Sequence, residues 1–171
     1  GAIPVVVTAT DGVYHRLILP DVTYDRAARA SASAAGPWMT LSPDGRSLAY
    51  GRPLTAPGAP GITVVDLQTG LHRRIDAGVM QQFSAVTWSP DGRWLAWSGY
   101  GNDGTNTLGR IDLAHGETWA ETTTPFDTVA LTVDDSGLVT VLHGHSRLQW
   151  DGDSVVRRAL AQPIGCSTRR A

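Results

Sequence analysis

The chain contains no lysine: all fourteen cationic residues are arginines, set against sixteen Asp and Glu, for a formal net charge of −2. A balance this close to neutral lacks the basic surface that phosphate neutralisation requires, which argues against nucleic acid as the main partner. The arginine-only bias reads as the mark of a GC-rich genome more than of a binding task. Cysteine is nearly absent as well, and the single Cys166 cannot form an intrachain disulfide. No basic helix end or histidine beside it lowers its pKa, so it reads as a dispensable residue of the tail. No hydrophobic run is long enough to span a membrane, and there is no Gly-x-Ser-x-Gly elbow on which to strain a nucleophile, so a Ser-His-Asp triad is not expected. A signal peptide is missing too, and the first residue is Gly1. That start reads as a processed or cloned fragment whose targeting segment has been removed, with an extracytoplasmic location favoured: periplasmic, secreted or membrane-anchored.

What is present is a repeat. Thr40-Leu41-Ser42-Pro43-Asp44-Gly45-Arg46-Ser47-Leu48-Ala49-Tyr50 returns 47 residues later as Thr87-Trp88-Ser89-Pro90-Asp91-Gly92-Arg93-Trp94-Leu95-Ala96-Trp97. A weaker copy, Val133-Asp134-Asp135-Ser136-Gly137-Leu138-Val139-Thr140-Val141, follows 45 residues after that when Gly137 is set against Gly92. A period of this size decides the fold before any other feature. Pro43 and Pro90 preset the φ of the second residue of a type I turn, Asp44 and Asp91 suit the next place, and Gly45 and Gly92 supply a left-handed residue that closes a hairpin. After each turn, Leu48 and Tyr50, or Leu95 and Trp97, fall at period two, giving the second strand an apolar and aromatic face.

A second landmark completes the unit: Val65-Asp66-Leu67-Gln68-Thr69-Gly70 recurs as Ile111-Asp112-Leu113-Ala114-His115-Gly116, offset by 46. Degenerate versions lie at Asp11-Gly12 and Asp151-Gly152. With the strands of a unit named A to D, the first turn joins A to B and the second joins C to D. The chain then reads as a C–D half-unit followed by three complete A–B–C–D units.

These residues, Trp-Ser-Pro-Asp-Gly-Arg followed by Leu-Ala-Trp and then an apolar strand ending Asp-Leu-x-x-Gly, resemble the WD-repeat-like β-propeller blade of TolB-type proteins. The resemblance covers residues 37–161, is strongest over Trp88 to Trp97, and is poorest in the third unit, where Asp134-Asp135-Ser136 replaces Ser-Pro-Asp. The Asp-His and Trp-Asp signature of true WD repeats is absent. The resemblance implies blades around a central channel, with binding or assembly functions, or in some cases a cover over a peptidase active site. The fold alone does not choose between those uses.

The expected architecture is therefore all-β, a propeller segment of about three and a half four-stranded antiparallel blades belonging to a larger ring of six to eight. Residues 1–21 are expected to form the half blade, 22–36 a flexible linker, 37–80 and 81–124 two blades, 125–161 a degenerate blade, and 162–171 a tail. Three and a half blades are too few to close a ring, so the missing strands are expected from another part of the same protein or from another chain. Seams carrying Leu48, Tyr50, Leu95 and Trp97 would otherwise expose apolar faces.

The A–B and C–D turns are tight and share one face of the propeller, whereas the B–C segments Arg52–Gly61 and Gly99–Thr107 and the D–A linker Val22–Gly36 are long and share the other. Function resides more often on long loops, so Arg52, Tyr100, Asn102, Asp103 and Asn106 are the candidate binding residues. Pro43, Asp44, Gly45, Pro90, Asp91 and Gly92 are assigned to turns. Gly101-Asn102-Asp103-Gly104-Thr105-Asn106 gathers oxygen atoms but lacks the alternating ligands and terminal Glu of a calcium-binding hand. His143-Gly144-His145 lacks a third zinc ligand nearby and reads as a solvated B–C turn. Arg73-Arg74 and Arg157-Arg158 fall on D strands, where charge discourages edge-to-edge association. Trp88, Trp94, Trp97, Trp119 and Trp150 could line a sugar site, but Trp88 and Trp97 sit at core positions of the repeat, so most of the five suit packing between blades better.

No metal, cofactor or catalytic group is expected. The sequence reads as a non-catalytic recognition or assembly module for protein or peptide, acting through the long-loop face without inserting into a membrane. The alternatives are the accessory propeller of a prolyl-oligopeptidase-like serine peptidase whose catalytic domain lies outside this chain, and the sensor domain of a membrane-anchored regulator.

Overall fold

The computed structural model describes residues 2–8, 14–25, 30–31, 39–52, 61–76, 80–101, 104–124 and 130–160. Among these the chain is all-β. Three four-stranded antiparallel sheets follow one another, each with its strands in chain order. The first holds β4 (Met39–Leu41), β5 (Ser47–Arg52), β6 (Gly61–Asp66) and β7 (His72–Asp76). The second holds β8 (Met80–Trp88), β9 (Trp94–Gly101), β10 (Asn106–Asp112) and β11 (Glu117–Thr124). The third holds β12 (Ala130–Val133), β13 (Val139–His143), β14 (Ser146–Trp150) and β15 (Val155–Ala159). These are propeller blades, and within each the strands take the roles A to D in order.

An earlier sheet is formed by β1 (Ala2–Thr8), β2 (Tyr14–Asp25) and β3 (Ala30–Ser31). Here the structure differs from the expected division. Strand β2 passes the boundary placed at residue 21, and Tyr24 and Asp25 pair with Ser31 and Ala30, so part of the segment assigned to a flexible linker is strand. Val22, Thr23 and Tyr24 are β-branched and aromatic, and they extend the ladder that the small residues after them suggested had ended. The rest of that segment and the tail after residue 160 lie outside the described residues.

The core lies between blades. One face of the first blade contributes Ala49, Ile62 and Ile75, which meet Phe83, Trp88, Leu95, Trp97 and Ile111 of the second. The opposite face of the second blade contributes Trp94, Ala96 and Leu108, which meet Leu131, Val133, Val139, Val141, Leu148 and Trp150 of the third. Strand β9 is thus buried on both faces through six consecutive residues, Trp94 to Gly99. Leu48, Tyr50, Leu95 and Trp97 are all interior, so the apolar faces they were expected to expose are covered. Strands of type D are the solvent edges: β15 is exposed along its whole length, and β7 at every residue but Ile75.

Hydrogen bonds join the blades as well. The Trp88 indole Nε1–H donates to the Thr40 carbonyl at 3.2 Å, linking the A strands of the first two blades. The guanidinium of Arg73 reaches the Leu113 carbonyl at 3.1 Å, and the Asp91 amide donates to the Asp135 carboxylate at 2.9 Å.

Candidate functional site

The two ends of the blade stack differ in how their polar groups are used. At the end carrying the A–B and C–D turns, the backbone is closed on itself. In the first blade the Gly45 amide donates to the Ser42 carbonyl at 2.9 Å and Gly45 has φ 70°. The Ser42 hydroxyl donates to the Asp44 carboxylate at 2.6 Å, that carboxylate accepts the Arg46 amide at 3.0 Å, and the Ser42 oxygen accepts the Ser47 amide at 2.9 Å. The second blade repeats every one of these bonds with Ser89, Asp91, Gly92, Arg93 and Trp94. Side chain to backbone bonds of this kind compete with a continued strand and fix the turn.

The third blade achieves the same closure with the partners interchanged. Asp134 occupies the place of the serine and Ser136 that of the aspartate. The Ser136 hydroxyl donates to the Asp134 carboxylate at 2.6 Å, which also accepts the amides of Ser136 and Leu138. Hydrogen bonding to the charged form holds the carboxyl groups of Asp44, Asp91 and Asp134 below their ordinary range, a serine hydroxyl being the first cause in each.

The C–D turns are closed similarly. Asp66 accepts the amides of Gln68 and Thr69, and Asp151 those of Asp153 and Ser154. In the second blade the buried Asp112 does more: its carboxylate accepts Arg93 Nε at 3.0 Å, Arg93 Nη2 at 2.6 Å, His115 Nδ1 at 2.8 Å and the Ala114 amide at 3.0 Å. Arg93 is the principal reason that the Asp112 carboxyl is held far below the usual carboxylate range, with burial opposing it. This network ties the A–B turn of the blade to its C–D turn. The sequence reading did not single it out, although the recurrence of Arg and Asp at these repeat positions was the available signal.

The Arg110 guanidinium was likewise missed. It is buried at the seam of the second and third blades, 4.8 Å from the Trp94 ring centroid and 5.5 Å from that of Trp150. It donates to the carbonyls of Gly137 and Asp151, one in each turn of the next blade. Cation–π contact and charged hydrogen bonding make it a clasp between blades.

At the opposite end the strands diverge into the B–C and D–A connections. Arg52 is the last residue of β5 and pairs with Gly61. Tyr100 and Asn106 are not loop residues: β9 continues through Gly101 and β10 begins at Asn106, so the two form a cross-strand pair. The hairpin closes by the bonds of the Gly101 amide to the Thr105 carbonyl at 2.8 Å and of the Gly104 amide to the Gly101 carbonyl at 3.1 Å. The segment Gly99–Thr107 is therefore shorter as a loop than expected, because backbone pairing runs through residues whose types suit a turn. Tyr100 and Asn106 are half-buried and share the face of Ser98 and Leu108. Asn102 and Asp103 lie outside the described residues. The structure thus brings together two of the five candidate residues and leaves Arg52 on a separate blade.

Gly144 and His145 form the B–C turn of the third blade, and His143, the last residue of β13, pairs with Ser146. Among the described residues no three His, Cys, Asp or Glu side chains are grouped as metal ligands. No helix there is long and apolar enough to cross a membrane, which says nothing of a β-barrel.

No protein-family model matches this sequence, nor does any curated protein. Solved structures share the fold. The β-propeller domain of the Trilobed protease from Pyrococcus furiosus, described as having an open velcro topology, aligns with a TM-score of 0.63 at 17% identity, over 92% of this chain and 49% of that one. TolB from Acinetobacter baumannii aligns with a TM-score of 0.55 at 18% identity, over 90% and 36% of the two chains. The Cps50 (Swd1) β-propeller domain of Myceliophteria thermophila aligns at 0.59 and 16%, over 83% and 41%. The chain has the fold of TolB-like and WD-like propeller blades, and it spans half or less of the length of each of these three structures.

Proposed function

We propose that this propeller segment is a non-catalytic recognition module that holds a protein or peptide at the end formed by its B–C and D–A connections, with further strands of the propeller supplied outside this sequence. The observation that supports this reading is the asymmetry of the two ends. At the A–B and C–D end the turn aspartates and serines are consumed in closing their own hairpins, whereas the B–C hairpins at the other end bear the half-buried Tyr100 and Asn106 and the exposed His145. The near-neutral charge suits a protein partner better than a polyanion. Nothing in this reading requires a metal or cofactor.

Site-specific photocrosslinking in the source cell tests it. A photoreactive residue replacing Asn106 should give discrete protein adducts, whereas the same residue replacing Gln68, exposed in a C–D turn, should give none. Adducts from position 68 alone, or from neither position, would reject the proposal.

A second reading is supported by the likeness to the propeller of the Trilobed protease: this chain would be the accessory propeller of a serine peptidase, its open end facing a separate catalytic domain. A Gly-x-Ser-x-Gly segment elsewhere in the gene product, carrying hydrolase activity, would favour that reading over the first.

A further inference from the structure

Strand pairing aligns the three blades position by position, so that the face each turns toward a following blade can be compared directly. At strand A the three are built alike. Thr40, Thr87 and Thr132 are equivalent, and Ala85 corresponds to Ala130. The third blade thus keeps the inner rim of a face that is packed under another sheet at the first two seams. Strand C is where it departs. The row that holds Ile62 in the first blade and Leu108 in the second, both fully buried, holds Arg147 in the third. The cross-strand neighbour of Arg147 on strand D is a second arginine, Arg158.

Like charges directly opposite one another on a sheet destabilise it unless an anion lies between them. Among the described residues neither Arg147 nor Arg158 takes part in an ion pair, and the Arg147 Nε is buried without an acceptor. The blade's own aspartates, Asp134, Asp135, Asp151 and Asp153, all lie in its turns at the far end of the strands. Other blade arginines are satisfied: Arg93 by the Asp112 carboxylate, Arg73 by the Leu113 carbonyl, and Arg110 by the carbonyls of Gly137 and Asp151. Arg110 reaches turn carbonyls because it pairs with Ala96, one row nearer the turns than the Ser98–Leu108 pair that matches Arg147. Across a seam at the depth of Arg147, backbone carbonyls are committed to the ladders of their own sheet. The acceptor that remains for a buried guanidinium there is a side-chain carboxylate.

On the reading that further strands complete the propeller outside this sequence, we infer that the sheet packed against the outer face of the third blade presents an aspartate or glutamate to Arg147 and Arg158. This seam is closed by a buried ion pair, unlike the first two. An apolar sheet such as those at the first two seams would bury two uncompensated guanidinium groups and is excluded by their desolvation cost. The charge also fixes which sheet can pack here, because an apolar or basic face is rejected.

Thermal melts of the complete gene product test the inference. Arg147→Leu, which installs the residue of the second blade, and Arg158→Leu should each lower Tm by about 5 °C or more at pH 8. The carboxylate left unpaired among apolar groups has a raised pKa, so the deficit should shrink as pH falls toward 5. Arg147→Lys, which keeps the charge, should lose less than Arg147→Leu. Two positions are used so that the result does not depend on one variant folding. A thiol at Thr140→Cys, with Cys166 replaced by serine, reports separately whether a sheet covers this face. It should react with a maleimide about 100-fold more slowly than an exposed control thiol, since the reagent reaches it only through local opening. Protection of that thiol together with leucine variants as stable as the native protein at every pH would overturn the ion pair alone. A thiol reacting within about tenfold of the control would overturn both the ion pair and the completion of the propeller at this seam.

Discussion

Asp112 receives Arg93, His115 and the Ala114 amide on one buried carboxylate, and the consequence is a defined pH dependence. Its carboxyl pKa is depressed in the folded chain, chiefly by Arg93, so the stability it contributes is complete above the unfolded value of about 3.9 and is lost as pH falls below it. The other turn aspartates are depressed in the same direction, so the whole protein should be acid-labile. Asp112→Asn should lower Tm at pH 7, and the gap from the native protein should narrow as the pH is taken to 3 and below. Melts showing a gap independent of pH would mean that the Asp112 charge is not what stabilises the turn. Single residues were unevenly legible in the sequence. Leu95 and Trp97 could be placed in the core because period-two spacing next to a turn leaves few choices. Tyr100 and Asn106 were misplaced in a loop because Gly, Asn, Asp and Thr suit a turn, and only backbone pairing decides where the ladder ends.

The hairpin is the element in which sequence and structure correspond most closely, since turn chemistry is local and Ser-Pro-Asp-Gly supplies its own hydrogen bonds. The third copy was less legible for a physical reason. Asp134 and Ser136 preserve the hydroxyl–carboxylate pair but reverse its polarity, so position-by-position comparison sees two mismatches where the geometry has one interaction. A double-mutant cycle measures this interaction. Asp134→Ser alone removes the carboxylate, and Ser136→Asp alone sets two carboxylates together; each should cost about 1 kcal/mol in chemical denaturation. The double variant recreates the arrangement of the first two blades and should return to within about 0.5 kcal/mol of the native protein. Additive losses in the double variant would show that the two residues act separately. The linker failed for the opposite reason: small residues after Asp25 carry little strand signal, and the pairing of Ala30 and Ser31 with β2 is a property of the sheet rather than of their own sequence.

For the whole molecule, the repeat period and turn chemistry were enough to indicate propeller blades. What they left out is what lies between blades: the Arg110 clasp, the Trp88 indole bond to the preceding blade, and the small residues that make room for the next. Such features join residues some 27 to 48 positions apart and leave no periodic trace. The five candidate binding residues were chosen from loop length alone, which is why they do not converge on one blade. The central claim is that the two ends of the stack are unequal, one closed on itself and one used for recognition. Hydrogen exchange of the complete gene product, free and in complex with the partner that its crosslinks identify, is the most direct test. The account predicts slowed exchange at the amides of Gly61, Tyr100, Thr105 and Asn106 on complex formation, with no change in the turns at 42–45, 66–70, 89–92 and 112–116. Slowed exchange confined to those turns would contradict it.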